Sequence, residues 1–118
     1  MRIVFFGCDD FAAINLQHLI EQGHRVVGLV TQPDKPKGRG LRVGYSPTKQ
    51  LAMTHGVAIF QPESLKDPIL VDRLRWFHAD IIIVIAYGKF LPPDVLTLPK
   101  YFCINLHASL LPKYRGAA

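Results

Sequence analysis

The chain predicts an α/β domain built on an open parallel sheet, and three observations predict it. Short apolar runs of strand length alternate with stretches of helical periodicity almost from end to end. Two of those runs, Arg25 to Thr31 and Ile81 to Ala86, are apolar on both faces, as strands covered by helices on both sides are. Between the runs, Ser46-Pro47 and Asp67-Pro68 each read as an N-cap followed by proline at the first helical position. Right-handed crossovers then give the strand order 3-2-1-4-5, with ligands expected beyond the carboxyl ends of the strands, near the switch point between strands 1 and 4.

Each element follows in order. Arg2 to Phe6 is a strand that stops at Gly7. Asp9 or Asp10 caps a helix through Phe11, Ile14, Leu16, Leu19 and Ile20, which Gly23 ends. Arg25 to Thr31 is the second strand. Gln32 to Ser46 reads as an irregular loop, because Pro33, Pro36, Gly38, Gly40 and Gly44 are interleaved with Asp34, Lys35, Lys37, Arg39 and Arg42. It exceeds the roughly 2–6 residues of an ordinary connection, and long ordered loops often carry function. A helix from Ser46-Pro47 to about His55 leads to a third strand, Val57 to Phe60. Asp67-Pro68 opens a helix through Leu70, Val71, Leu74 and Phe77, and Ile81 to Ala86 is the most apolar strand and therefore central. Tyr87 to Leu91 is a loop, Pro92-Pro93-Asp94 starts a short helix, and Phe102 to His107 is the last strand.

Composition bounds the function. The 118 residues suffice for one small domain, and a hydrophobic content of 49% excludes a disordered chain. No apolar run approaches the roughly 20 residues of a membrane helix, and the N-terminus lacks a signal-peptide cleavage site. Cys8 and Cys103 form no CxxC pair, which favours a reducing, cytoplasmic setting. The net charge of +5 is concentrated in Lys35, Lys37, Arg39, Arg42 and Lys49, the pattern of a chain that meets a polyanion. The chain stops at Gly116-Ala117-Ala118 directly after its most polar loop, and it reads as the front part of a longer protein.

Familiar cofactor signatures are missing. Gly7 is followed by Cys8, Asp9, Asp10 and Phe11 rather than by the GxGxxG of a dinucleotide fold, and carboxylates there repel a pyrophosphate. There is no GxxxxGK[ST] loop and no HExxH or Cys/His cluster, so no metal is expected. His18 lies in a helix, while His24, His55 and His78 sit at helix ends or turns, where capping and solvation explain them. What is left is Asn105 and His107, two residues apart on one strand and therefore on one face, with Ile104 and Leu106 turned the other way into a core. An amide donor and an imidazole presented together suit an oxyanion that forms while a proton moves. Such a histidine needs a carboxylate to orient it. Asp9 and Asp10 are possible neighbours, and an acid beyond Ala118 is the alternative.

Ordered motifs along the whole chain resemble the N-terminal part of the methionyl-tRNA formyltransferases. They are Phe5-Phe6-Gly7, Asp10-Phe11-Ala12, Gly23-His24, the run Thr31 to Gly40, Phe60-Gln61-Pro62, Ala86-Tyr87-Gly88, Leu91-Pro92, Ile104 to Pro112 and Tyr114 to Ala118. The resemblance implies a Rossmann-like formyltransferase fold, here truncated, with residues 1–118 as the N-terminal part of the folate-binding catalytic domain. It implies transfer of a formyl group from 10-formyltetrahydrofolate to the amino group of initiator methionyl-tRNA, by an enzyme that is cytoplasmic and a monomer when full length.

The site residues follow from the same resemblance. Asn105 and His107 match the family's catalytic pair, and Ser109, Leu110, Leu111 and Pro112 match its folate-binding segment. Phe90 and Leu91 resemble the wall that receives the pteridine, and Lys35, Lys37, Arg39 and Arg42 belong to the segment that contacts tRNA. Cys8-Asp9 stands where the family has Thr-Pro. The family's catalytic Asp and its second tRNA-binding domain lie beyond Ala118, so the isolated chain is expected to be inactive. Formyltransferases acting on purine precursors or amino-sugars share the NxHxSLLP core, which leaves a small amine as the alternative acceptor. A non-catalytic fragment that binds folate or RNA is the alternative to an enzyme.

Overall fold

A computed structural model describes residues 1–37 and 42–106. The main sheet has five strands, β1 (Arg2–Phe6), β2 (Arg25–Val30), β5 (Ala58–Phe60), β6 (Ile81–Ile85) and β7 (Phe102–Leu106), in the order β5-β2-β1-β6-β7. All four pairings are parallel. Counted within this sheet alone, the order is the expected 3-2-1-4-5, with the switch point between β1 and β6.

Helices α1 (Asp10–Glu21) and α2 (Pro47–Thr54) cover one face, while α3 (Pro68–Trp76) and the short α4 (Pro93–Leu96) cover the other. Their starts follow the caps. Asp9 accepts from the Ala12 amide, Ser46 from Lys49 and Asp67 from Ile69, each bond contributing about 1 kcal/mol of helix stability. Gly23 and Gly56 close α1 and α2 at φ +82° and +67°.

Alternation within each strand builds two cores. Val4, Phe6, Val30, Ile82 and Val84 pack against Leu70 and Leu74 of α3 and its C-cap Phe77, with Tyr87 and Val95. Phe5, Leu29 and Ile85 pack against Ala12, Leu16 and Ala52 of α1 and α2. Two glycines permit close approach rather than a turn. A Cβ on Gly28 would lie 2.7 Å from the Phe77 ring, and one on Gly7 would lie 2.5 Å from the Ile85 carbonyl oxygen.

Two expectations are corrected. Residues 32–46 are not wholly irregular, because β3 (Lys35–Lys37) and β4 (Arg42–Gly44) pair as an antiparallel ribbon separate from the main sheet. Pro36 is tolerated there because a two-stranded ribbon is all edge. Ile104 and Leu106 are not in a core. They keep 36% and 46% of their surface exposed, since among the described residues α1 and α2 lie over β2 and β5 and nothing covers that face of β7.

Candidate functional site

Parallel strands bring the carboxyl ends of β1, β2, β5, β6 and β7 to one edge, and the segments leaving them meet there. Asn105 sits beside Val84 in the β6–β7 register and so shares the face that Val84 presents. Its side chain is exposed, as a group meant for a ligand must be. It lines a cavity of about 220 Å³ with Val84, Ala86, Tyr87, Gly88, Lys89 and Phe90. Phe90 is 95% exposed, a large apolar ring left in the open at the mouth of that cavity. Leu91 does not line it and packs instead against the α3-side core.

The backbone at this wall is unusual. Ala86 has φ +49° and Gly88 has φ +88°. An alanine in the left-handed region costs about 1 kcal/mol, and such strain is held by the surrounding structure. The holding side chain is Tyr87, which is only 2% exposed and meets the Phe6 ring edge-to-face at 5.2 Å. Burial pushes its hydroxyl up to about 12, so Tyr87 is a fixed neutral wedge and no acid–base group at neutral pH.

Beside this cavity lies another of about 380 Å³, lined by Cys8, Asp9, Gln32, Asp34, Lys35 and Ser46 among others. Asp9 is committed to capping α1. The Cys8 sulfur accepts from the Gln32 amide at 3.4 Å and faces the Tyr87 carbonyl at 3.7 Å. It therefore bridges two segments at half-buried depth. The Cys103 thiol is pushed up by burial, which makes it a packing residue rather than a nucleophile.

The basic ribbon stands on a polar base. The Lys49 ammonium donates to Asp34 Oδ2 at 2.6 Å and to Gln61 Oε1 at 3.0 Å, and it lies 4.0 Å from the centre of the Tyr45 ring. Gln61 Nε2 closes the cluster on Asp34 Oδ1 at 2.9 Å. The Lys49 hydrogen bond first, and the Gln61 one second, hold the Asp34 carboxyl below its usual value. Lys49 thus belongs to the base and not to the free cations of the segment. Lys35 is exposed, and Lys37 and Arg42 are register partners across the ribbon.

Asn105 and Phe90, both named from the sequence, line one cavity, while the Asp34–Lys49–Gln61 cluster and the contacts of Gln32 join residues remote in sequence and were not read from it. His107, Ser109, Leu110, Leu111, Pro112 and Arg39 lie outside the described residues. Among the described residues no three His, Cys, Asp or Glu side chains gather as metal ligands. Among the described residues a cavity of about 590 Å³, larger than the two above, lies at the opposite end of the strands around Arg2, His78, Asp80 and Lys100, away from Asn105. In open parallel α/β sheets ligands bind beyond the carboxyl ends of the strands, the end at which Asn105 lies.

Comparison with known proteins bears on the fold and the family. The chain is 52% identical over 118 residues to a methionyl-tRNA formyltransferase of Agathobacter rectalis and 55% identical over 119 residues to that of Caldanaerobacter subterraneus. Both matches span the whole chain but only 38% of the relatives' length. Among solved structures, glycinamide ribonucleotide transformylase 1 of Geobacillus kaustophilus superposes with a TM-score of 0.68 at 19% identity, over 99% of this chain and 68% of that one. The corresponding protein of Symbiobacterium toebii gives 0.68 at 20% identity, over 97% and 54%. At that identity the likeness is one of fold. A family model described as formyl transferase matches residues 1–118. The chain belongs to the formyl transferase family.

Proposed function

We propose that this chain is the front part of the catalytic domain of an enzyme that moves a formyl group from 10-formyltetrahydrofolate to the amino group of methionyl-tRNA. The observation that carries the acceptor is the roughly 50% identity, over the entire chain, to proteins named methionyl-tRNA formyltransferase. The cationic ribbon supports the same acceptor, since a polyanion is what it suits. The cavity beside Asn105 supports the donor. At about 220 Å³ it is smaller than the roughly 300–1,000 Å³ of a full ligand pocket, so it fits the fused-ring head of the folate with Phe90 as its apolar wall.

In the proposed reaction the methionyl amine attacks the formyl carbon and a C–N bond forms. The carbonyl oxygen becomes an oxyanion, to which Asn105 donates an N–H. The bond to folate N10 then breaks, and His107 carries the proton lost by the amine to that leaving nitrogen. Ser109 to Pro112 hold the folate beside them, and Lys35, Lys37, Arg39 and Arg42 take the tRNA phosphates. No metal enters this scheme, and the enzyme acts as a cytoplasmic monomer. The residues that complete it, including an acid orienting His107, belong to the length that the relatives have beyond this match.

The test uses the full-length protein with 10-formyltetrahydrofolate and, in parallel, methionyl-tRNA, glycinamide ribonucleotide and an amino-sugar nucleotide as acceptors. Formylation of methionyl-tRNA at least a hundredfold faster than of either small amine is expected. Preference for a small amine would reassign the acceptor, and no transfer to any of them would refute the activity.

A further inference from the structure

Gln32 occupies a place in the fold that the reaction above does not use. It follows β2 directly, at the root of the basic ribbon, and its side chain reaches across to the segment after β6. The carboxamide Nε2 donates to the Tyr87 carbonyl at 2.6 Å. A Cβ on Gly88 would come within 2.7 Å of that same nitrogen, so the Gln32 amide as placed lies directly against Gly88. The backbone of Gln32 is held as firmly. Its N–H donates to Cys8 Sγ at 3.4 Å, and its carbonyl accepts from Gln61 Nε2 at 3.2 Å. Gln61 in turn belongs to the Asp34–Lys49 cluster beneath the ribbon. A continuous chain of hydrogen bonds therefore runs from the base of the basic ribbon, through Gln32, to the peptide that precedes Gly88, Lys89 and Phe90 in the Asn105 cavity.

We propose that Gln32 is a positioning residue: its carboxamide, seated against Gly88, fixes the Tyr87–Phe90 segment at the distance from Asn105 that the formyl donor needs, and ties that segment to the base of the polyanion-binding ribbon. Gln32 does not line the cavity and touches no reacting atom. It acts through the segment it holds, in which Ala86, a non-glycine residue at positive φ, depends on outside contacts to keep its shape. Among the described residues that carbonyl has only the weak Cys8 sulfur as a second side-chain partner, so the part-buried hydrogen bond from Gln32 is a strong constraint there.

This inference rests on the proposed formyl transfer, and the experiment separates the two. Full-length wild type, Gln32→Glu and Gln32→Ala are compared in steady-state formylation of methionyl-tRNA with 10-formyltetrahydrofolate varied, alongside thermal unfolding of each. Gln32→Glu keeps the shape of the side chain but sets a carboxylate against the Tyr87 carbonyl. The expected result is a KM for 10-formyltetrahydrofolate raised about tenfold or more in both variants, with the KM for methionyl-tRNA changed less than threefold and cooperative unfolding retained. A role confined to stability would lower kcat through loss of folded enzyme and leave the donor KM alone, and that outcome overturns the proposal. Absence of transfer by the wild type would instead refute the activity, and this inference with it.

Discussion

Tyr87 shows most clearly how one residue's surroundings set its behaviour. Its ring is wedged against Phe6, and its hydroxyl has no hydrogen-bond partner among the described residues. Burial raises the folded-state pKa from 10.0 to about 12. The sign follows. Below pH 10 the hydroxyl is neutral in both states and its titration does not change stability, whereas above it the unfolded chain ionises first, and stability falls until the pH passes the folded value. The loss due to this group is about 1 kcal/mol at pH 11 and about 2–3 kcal/mol at pH 12. Urea unfolding of wild type and Tyr87→Phe at pH 8 and pH 11 isolates it. The variant is expected to lie within about 1 kcal/mol of wild type at pH 8 and to lose less stability at pH 11. A large cost at pH 8 would mean that the hydroxyl is satisfied after all. Nothing in Tyr87-Gly88-Lys89 announces this burial, because it depends on Phe6, far away in sequence. Asn105 was legible for the opposite reason: strand alternation is local, and a polar residue in an apolar run stands out.

Elements were legible where their signals are local and obscured where they are not. The strands of the main sheet show as continuous apolar runs, and the helices as cap-plus-proline starts, so their order and bounds could be read to within a residue or two. The ribbon of β3 and β4 could not. Lys35-Pro36-Lys37 and Arg42-Val43-Gly44 have no apolar alternation, and the Asp34–Lys49–Gln61 cluster next to them joins three segments far apart in sequence. The ribbon also yields a prediction at its own scale. Reversing Lys37 and Arg39 to Glu in the full-length protein is expected to weaken methionyl-tRNA binding at 50 mM salt by about tenfold or more and to lower the slope of log K against log salt by about 1–2. Filter binding across a salt series measures both. An unchanged slope would remove the ribbon from the tRNA interface.

At the scale of the whole molecule, the parallel sheet turns sequence order into a site. Residues from the ends of β1, β2, β5, β6 and β7 meet at one edge because all four strand pairings are parallel. The strand order was readable from the βα alternation. What was not readable is the covering of β7, whose Phe102, Ile104 and Leu106 are 50%, 36% and 46% exposed, because coverage depends on which helices reach an edge strand. The central claim is that this edge is a formyl-transfer centre with Asn105 as its oxyanion donor. Steady-state kinetics of Asn105→Ala in the full-length enzyme tests it most directly. A fall in kcat of about a hundredfold or more, with the KM for 10-formyltetrahydrofolate within threefold of wild type, is the expected result. Turnover equal to that of wild type would contradict it.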